Sequence, residues 1–482
     1  MKVRHMFRMG GPISAAVTVA DLPGGPAIIA AADGIYAWRK ADGSLLPGFP
    51  VFGGNFFASQ PLVVDLYGTD ARVIIAGCDD NHLYGFDATG RSLPGFPLPT
   101  GGDVYSSPAA ADLDGNGNQE IVHGSDDGRV YTWRTDGAPL PGWPQQTGGF
   151  VSASPVLVDL DGDGRPEILT GSWDKNVYAW RADGALLPGW PRETGHFVWS
   201  TPQAADLDGD GYLEVIAAAD QVYAWRADGS LLPGWPQPVG SYVVARPLVA
   251  DLDGDGRNEV LVAADRIYAW DAGGRPLPGF PLDSGTYFWS SPILKPRKDR
   301  DGLAVIACGW DGRLYMIQPD GRFSAWHLTN APIFATPTWA ECGQEAELLV
   351  GAWDAKLYQV RLDGPGQPSG RPAAGPAIPG AGELKLVKEE RASFVTFPGC
   401  ADPQGTMCYQ AQFETKWHPV PLVLHAGKLT GLIQPFPAGT TVSYWASING
   451  QRQPASGTYT YRVTADLCGR LQRKVQRWMQ RL

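Results

Sequence analysis

The sequence repeats itself about every 46 residues, and this repetition constrains the fold more than any other feature. A tyrosine followed two residues later by a tryptophan marks the clearest copies. The tyrosines of all the copies are Tyr36, Tyr84, Tyr131, Tyr178, Tyr223, Tyr268, Tyr315 and Tyr358. Their spacings are 48, 47, 47, 45, 45, 47 and 43 residues. A period in this range is typical of architectures that repeat one supersecondary unit, so the chain contains eight such units.

Each unit reads as four short β-strands. In the clearest unit, the runs SPVLV, EILTG and NVYAW are separated by Asp-Gly and Asp-Lys-Asn turns, and the run GWPRET follows a Pro-Gly turn. Four strands in each unit of this length predict an all-β protein, a β-propeller with eight blades. Helical repeats are excluded because no unit has the apolar period of 3.6 residues that an amphipathic helix requires.

The eighth unit has only three strands before a Pro/Gly-rich run begins at Gly364. The N-terminal segment MFRMGGPIS, from Met6, aligns with the fourth strands of the other units. We therefore expect residues 2–10 to pair into blade 8 and close the ring, which leaves no open sheet edge. Seven blades with one spare unit are the alternative.

The composition excludes several classes of protein. Lys and Arg number 39 against 50 Asp and Glu, and the net charge of −11 argues against nucleic acid as the main partner. No stretch approaches the roughly 18 consecutive apolar residues of a transmembrane helix. Six Cys in 482 residues are too few for a small scaffold held together by disulfides.

Acidic loops between the first and second strands of four units are the most specific motifs. They follow the pattern Asp-Leu-Asp-Gly-Asp/Asn-Gly-x-x-Glu, which places side-chain oxygens at positions 1, 3, 5 and 9 and a backbone carbonyl at position 7. The predicted ligand residues are Asp112, Asp114, Asn116, Asn118, Glu120, Asp159, Asp161, Asp163, Arg165, Glu167, Asp206, Asp208, Asp210, Tyr212, Glu214, Asp251, Asp253, Asp255, Arg257 and Glu259.

These loops predict about four Ca²⁺ sites, in blades 3 to 6. Calcium takes six to eight oxygen ligands in flexible geometry, whereas Mg²⁺ resists giving up its waters to a cage made only of protein. The loops contain no Cys or His, which disfavours zinc and copper. A single Asp-Gly loop would also suit an ordinary β-turn, but four in register with a Glu at position 9 favour metal. The equivalent segments from Asp21, Asp65, Lys295 and Ala340 have lost the ligands.

The acidic loops within these units resemble FG-GAP (VCBS-like) repeats, as in the head of integrin α-subunits. The resemblance covers about residues 1–362 and implies a calcium-binding β-propeller, adhesion or ligand binding, and an extracellular or cell-surface location. A cytoplasmic location is the alternative, because MKVRHMFRMGG contains no apolar signal-peptide core. Some eight-bladed calcium propellers of this kind, the rhamnogalacturonan lyases, are enzymes.

The turns between the second and third strands lie on the face opposite the acidic loops, and aromatic residues and carboxylates are concentrated there. Such pairs suit a sugar, because aromatic rings stack on its C–H faces and Asp accepts its hydroxyl protons. Packing between blades and capping of turns are the alternative explanation. The candidate ligand-binding residues in these turns are Trp173, Asp174, Trp310, Asp311, Trp353 and Asp354. Three further candidates, Tyr105, Trp199 and Trp289, begin the innermost strands and are expected around the mouth of the channel. The recurring Leu-Pro-Gly-Trp/Phe-Pro motif is interpreted as blade architecture.

The sequence after the propeller predicts three further segments. Residues 363–382 are a Pro/Gly-rich linker, and residues 383–465 contain about seven short strands that suggest a β-sandwich of the immunoglobulin or fibronectin type. Cys400 and Cys408 are either bridged or free. Residues 466–482 predict a basic amphipathic helix, which would dock on a partner or an anionic membrane surface or fold back on the protein.

Together these patterns predict a calcium-stabilised, non-enzymatic binding or adhesion protein with a carbohydrate or protein ligand. The seven His residues are scattered, and no nucleophile elbow, P-loop or dinucleotide fingerprint is present. A polysaccharide-active lyase and a structural component of a larger assembly are the alternatives.

Overall fold

The computed structural model describes residues 1–295, 303–342 and 345–362, and beyond them only the strands within 367–462. The chain divides into two compact units, Met1–Ser284 with Phe288–Ser369 and Gly285–Tyr287 with Gly370–Leu482. The first unit contains the eight repeats.

Each repeat folds as one antiparallel sheet, or blade, whose strands follow chain order from the inside outwards. Apolar runs form the strands, and Gly, Asp and Asn form the turns between them. The strands of blades 1 to 4 are β2 (Thr18–Leu22), β3 (Gly25–Ala31) and β4 (Ile35–Arg39); β5 (Leu62–Asp65), β6 (Arg72–Cys78), β7 (His82–Asp87) and β8 (Leu98–Pro99); β9 (Ala109–Ala111), β10 (Glu120–Gly124), β11 (Arg129–Trp133) and β12 (Gln145–Gln146); β13 (Val156–Val158), β14 (Glu167–Gly171), β15 (Asn176–Trp180) and β16 (Arg192–Glu193).

The remaining blades follow the same plan. The strands of blades 5 to 8 are β17 (Gln203–Ala205), β18 (Glu214–Ala218), β19 (Gln221–Trp225) and β20 (Gln237–Pro238); β21 (Leu248–Ala250), β22 (Glu259–Ala263) and β23 (Ile267–Trp270); β24 (Ile293–Lys295), β25 (Ala304–Cys308), β26 (Arg313–Ile317) and β27 (Phe323–His327); β28 (Thr338–Cys342), β29 (Glu345–Ala352) and β30 (Lys356–Arg361). In blades 1 and 6, the single bridges Ile35–Val51 and Ile267–Leu282 stand in place of the fourth strand.

The N-terminal strand closes the ring. Strand β1 (Lys2–Arg8) pairs antiparallel with β30, Phe7 facing Leu357 and Lys2 facing Arg361, and becomes the fourth strand of blade 8. The predicted closure is confirmed, and the propeller has eight blades rather than seven. A short strand, β31 (Gln367–Pro368), extends blade 7 by pairing with β27, so this part of the segment 363–382 contacts the propeller.

Eight apolar clusters fill the spaces between neighbouring blades, one for each interface around the ring. The cluster between blades 8 and 1 contains Phe7, Leu357 and Trp38, with the ring centroids of Phe7 and Trp38 4.8 Å apart. The β1 strand therefore contributes both backbone pairing and buried apolar surface to ring closure.

The Leu-Pro-Gly-Trp/Phe-Pro motif occurs in blades 1 to 6 and contacts the next blade. The indole N–H of Trp143, in blade 3, donates to the backbone oxygen of Ala182 in blade 4 over 2.7 Å. Gly142 has a φ of 88°, and a Cβ there would lie 2.0 Å from the backbone oxygen of Asp183, so only glycine fits. Trp190 and Trp235 make the same contact with their next blades. The interpretation of the motif as architecture is confirmed.

The second unit is described only through its strands. They are β32 (Phe394–Pro398), β33 (Gly405–Ala411), β34 (His418–His425), β35 (Lys428–Leu432), β36 (Thr441–Ile448), β37 (Gln451–Gln453) and β38 (Tyr459–Arg462). They pair in the order β32-β35-β34-β33-β36-β37, with β38 also on β36. The sandwich arrangement stays a prediction. The pairing state of Cys400 and Cys408 and the helix 466–482 lie outside the described residues.

Candidate functional site

The four acidic loops lie at one end of the blades, between their first and second strands. In blade 4 the pairing of Val158 with Glu167 joins β13 to β14, and the loop 159–166 connects the two strands. The same register holds for β9 and β10, for β17 and β18 and for β21 and β22. The sheet register therefore brings positions 1 and 9 of every acidic loop to the same end of its blade.

The first Asp of each loop organises the backbone around it. In blade 4, Asp159 accepts N–H bonds from Gly162 on Oδ1 (2.8 Å) and from Gly164 on Oδ2 (2.9 Å). These two glycines have φ angles of 78° and 86°, in the left-handed region that favours glycine. Asp112, Asp206 and Asp251 make the same pair of bonds in their loops. The repeated glycines are therefore required by the turn.

The Glu at position 9 is buried beneath each loop. Glu167 is 1% exposed, and its Oε2 accepts the backbone N–H of Leu160 over 2.8 Å. Burial raises the pKa of this carboxyl group, and the carboxylates of Asp161 and Asp163 raise it further. The same causes raise the pKa of Glu259 to about 7. A cation among these oxygens would offset the electrostatic cost of gathering them.

Three acidic side chains of each loop offer oxygens within 4.8 Å of one another. The groups are Asp112, Asp114 and Glu120; Asp159, Asp161 and Glu167; Asp206, Asp208 and Asp210; Asp251, Asp253 and Asp255. All of their candidate donor atoms are carboxylate oxygens, which fit a hard cation such as calcium. The structure therefore gathers acidic side chains that could hold a metal ion in blades 3 to 6, where the sequence predicted calcium sites.

The residues at positions 5 and 7 are connected through the backbone. The N–H of Arg165 donates to Asp163 Oδ1 over 2.8 Å, and Asn118 donates in the same way to Asn116. Tyr212 and Arg257 repeat this bond with Asp210 and Asp255. Ligation by the carbonyl groups of position 7 stays a prediction, as do Glu214 and Glu259 as ligands.

The ligand-poor loops of blades 1 and 2 fold without a cluster of carboxylates. In blade 2, Asp65 accepts backbone N–H bonds from Tyr67, Thr69 and Asp70. In blade 1, β2 and β3 pair up to Leu22 and Gly25, so only a tight hairpin remains. These two blades show that an unligated loop folds here without additional acidic residues.

Arginine side chains contact two of the acidic loops. Arg181 Nη2 lies 2.9 Å from Asp161 Oδ2 in blade 4, and Arg226 Nη2 lies 3.4 Å from Asp208 Oδ2 in blade 5. Both residues directly follow the Tyr-Ala-Trp of their unit, where blade 6 has Asp271. The loops of blades 4 and 5 therefore contain a built-in counter-charge, and blade 6 has a carboxylate at that position instead.

On the opposite face, the predicted ligand-binding carboxylates bond within the propeller. Asp174 Oδ2 accepts the hydroxyl proton of Tyr178 and the N–H of Gly148, each over 2.6 Å. Asp311 and Asp354 accept the tyrosine hydroxyl of their own blades in the same way, from Tyr315 and Tyr358. These carboxylates bond the turn after the second strand to the third strand of the same blade, and ligand binding by them stays a prediction.

Five of the predicted aromatic residues and Phe334 form one continuous group, here called the aromatic cluster. Its members are Trp173, Trp199, Trp289, Trp310, Phe334 and Trp353. The ring centroids of Trp173 and Trp199 are 5.0 Å apart, and those of Trp199 and Trp289 are 6.2 Å apart. Since Trp199 belongs to blade 5 and Trp289 to blade 7, the cluster passes in front of blade 6. Trp173, Trp199, Trp289 and Trp353 are half-buried and keep part of their rings in solvent.

Tyr105 lies among buried carboxylates that sequence reasoning missed. Asp79, Asp103 and Asp126 are 3%, 8% and 9% exposed, and with burial they raise the pKa of Tyr105. Burial, followed by the charges of Asp103 and Asp126, also raises the pKa of Asp79. Asp79 and Asp126 occupy the turn position of Trp173, so aligning the turns of all units would have identified them.

This fold and this set of loops define a class, an eight-bladed β-propeller with acidic loops at one end. Residues 159–217 and 206–262 match the FG-GAP-like repeat. The chain therefore carries FG-GAP-like repeats, as its loops predicted. No curated protein sequence matches it. No helix among the described residues is long and apolar enough to cross a membrane.

Solved structures with similar folds are also propellers. BamB from Moraxella catarrhalis is 14% identical with a TM-score of 0.55, the alignment covering 75% of this chain and 98% of that one. Sqt1 from Saccharomyces cerevisiae is 11% identical with a TM-score of 0.56, covering 75% and 99%. The computationally designed Ika8 protein is 15% identical with a TM-score of 0.52, covering 74% and 98%. At these identities the similarity concerns the fold.

Proposed function

We propose that this protein is a calcium-stabilised, non-enzymatic binding protein. The observation that carries the proposal is the arrangement of the propeller: four acidic loops at one end of the blades and a partly exposed aromatic cluster at the other. Oxygen ligands gathered within a loop are typical of calcium sites. Calcium would stiffen the loops of blades 3 to 6 and thereby support the opposite face, on which the ligand binds.

Carbohydrate is the ligand class that we favour for the aromatic cluster, with a protein ligand as the alternative. The half-exposed rings of Trp173, Trp199 and Trp289 offer apolar faces of the kind on which sugar rings stack. The FG-GAP-like repeats fit a binding or adhesion protein, and we propose an extracellular or cell-surface location on the same grounds.

A glycan array probed with the full-length protein tests this proposal. Binding in calcium that is lost in Trp199→Ala and weakened by chelation is the expected result. Tyr67→Ala is the matched control, because Tyr67 is 38% exposed in the ligand-poor loop of blade 2, at the opposite end of the blades. Glycan binding that survives Trp199→Ala contradicts the assignment of the aromatic cluster. Cleavage products from a bound polysaccharide would contradict the non-enzymatic proposal and favour a lyase.

A further inference from the structure

The central channel of the propeller is the basis of an inference that goes beyond the proposed function. The innermost strands of a propeller line a central channel. Just before these strands, most blades have a Ser or Thr followed by a proline. We call these positions the hydroxyl belt: Ala16, Gln60, Ser107, Ser154, Thr201, Arg246, Ser291 and Thr336.

Hydrogen bonds connect the belt from blade to blade. The backbone N–H of Ser107 donates to Ser154 Oγ over 2.9 Å, and that of Ser154 donates to Thr201 Oγ1 over 3.3 Å. On the other side, the N–H of Arg246 donates to Ser291 Oγ over 3.0 Å, and Ser291 donates to Thr336. Arg246 therefore takes a place in the belt, between Thr201 and Ser291, where five of the other blades have a hydroxyl.

The burial pattern shows which way the belt residues face. Except for Ala16, each follows a side chain that is at most 1% exposed, for example Ser200, Ala245 and Ser290, whereas Thr201 and Ser291 are half-buried. Because side chains alternate along an extended chain, the belt side chains face away from the packed sheets, into the channel. Arg246 is exposed to solvent, and yet surrounding protein lowers its pKa by desolvation. Solvent exposure together with desolvation by the protein is what we expect of a guanidinium group in an internal, solvent-filled space.

Arg246 is the only Lys or Arg of the belt, and its charge is not neutralised. Within the part of the chain that the structure describes, its guanidinium makes no ion pair or hydrogen bond. The belt hydroxyls of Ser154, Thr201 and Ser291 accept backbone N–H bonds, and their own O–H protons donate to none of the described residues. The channel thus presents a planar cation and several hydroxyl donors.

We propose that the central channel binds an oxyanionic group at Arg246, between Thr201 and Ser291. A carboxylate, sulfate or phosphate accepts two parallel bonds from a guanidinium, and hydroxyl donors satisfy its remaining oxygens. The group comes either from a free inorganic anion or from an acidic saccharide whose uncharged part contacts the aromatic cluster. Only the second source depends on the proposed function.

Isothermal titration calorimetry of the full-length protein, loaded with calcium and then exchanged into buffer without free calcium, tests the proposal. The probes are sodium sulfate, sodium phosphate, sodium glucuronate and polygalacturonate, at constant ionic strength. We expect at least one probe to bind, and Arg246→Gln to weaken that binding roughly tenfold or more. Arg246→Lys keeps the charge without the planar fork and is expected to restore part of the affinity.

Arg275→Gln is the matched control, because Arg275 is an exposed arginine in the outer part of the same blade. It is expected to leave binding unchanged, and the melting temperature of each variant verifies that it is folded. Binding of inorganic anions assigns the free source, and binding of glucuronate or polygalacturonate alone assigns the saccharide. The absence of binding by every probe, or equal binding by wild type and Arg246→Gln, overturns the proposal. Calcium binding and glycan binding in calcium are measured separately, so the proposed function is tested independently.

Discussion

Arg181 Nη2 lies 2.9 Å from Asp161 Oδ2, so an acidic loop of blade 4 shares one of its predicted calcium ligands with an arginine of the same blade. The equivalent residue of blade 1, Arg39, instead donates to the backbone oxygen of Gly24 over 3.0 Å. The same sequence position therefore neutralises a carboxylate in blades 4 and 5 and contacts neutral backbone in blade 1.

Removing this arginine should tighten calcium binding in blade 4. Arg181→Gln deletes a positive charge next to Asp161, and because solvent screens an exposed pair of this kind, the affinity of this loop should rise only roughly two- to fivefold. Competition with a chromophoric chelator measures the change. Arg39→Gln is the control and should have no effect. An unchanged or lower affinity in Arg181→Gln would show that the arginine does not compete with the ion.

Replacing Phe7 should open the junction between blades 8 and 1. Phe7 is 4% exposed and packs on Trp38, so Phe7→Ala removes a buried ring, at a cost of about 3–5 kcal/mol in the free energy of unfolding. Met6, its neighbour in β1, is 43% exposed, and Met6→Ala should change stability by no more than about 0.5 kcal/mol. Urea denaturation measures both. Equal effects of the two substitutions would contradict ring closure through β1.

The bond between Tyr178 and Asp174 should be worth a measurable part of the stability. Tyr178→Phe removes the hydroxyl that donates to Asp174 Oδ2, while Gly148 continues to donate to that oxygen. We expect a loss of about 1–2 kcal/mol in the free energy of unfolding. Tyr212→Phe, on an exposed ring, is the control for the substitution itself. If both variants are as stable as the wild type, the bond between Tyr178 and Asp174 makes no measurable contribution to stability. That result would favour a ligand-binding role for these Asp–Tyr pairs.

Acid should destabilise blade 3 through His123. This residue is fully buried, its Nε2 accepts the indole N–H of Trp133, and burial lowers its pKa to about 4. The unfolded chain, with a His pKa of about 6.5, binds more protons between these values, so stability falls as the pH drops from about 6.5 to 4. The full difference amounts to about 3 kcal/mol.

The variant His123→Thr isolates this contribution, because blade 4 has Thr170 at the same position. Urea denaturation at several pH values, in chelator so that calcium loss does not interfere, should give a shallower loss of stability for the variant. Parallel curves for the two proteins would mean that His123 is protonated in the native state as easily as in the unfolded chain.

The repeated parts of the molecule were predictable from the sequence, and the parts that differ between repeats were not. The eight-fold period, the acidic loops and the closing strand each follow from local patterns such as the alignment of Met6 with other fourth strands. The pairing of Arg181 with Asp161 joins residues 20 positions apart, and spacing alone does not reveal it. Asp79 and Asp126 were missed because they stand where the clearest unit has Trp173.

The position of Arg246 in the channel was also not predictable from the sequence. In the sequence it is one arginine among many, and its importance appears only when the register of the blades places it in the belt with Thr201 and Ser291. The aromatic cluster was predictable only in part. Its members were selected from their positions in the units, but the contact of Trp199 with Trp289 across blade 6 depends on the ring geometry.

Calcium titration of the chelated full-length protein is the most direct test of the central claim, that four acidic loops bind calcium. Isothermal titration calorimetry should give four equivalents of bound Ca²⁺, one for each acidic cluster. Asp206→Asn should reduce the number to three, whereas Asp65→Asn, in the ligand-poor loop of blade 2, should leave it at four. No binding, or a number that Asp206→Asn leaves unchanged, would contradict the account.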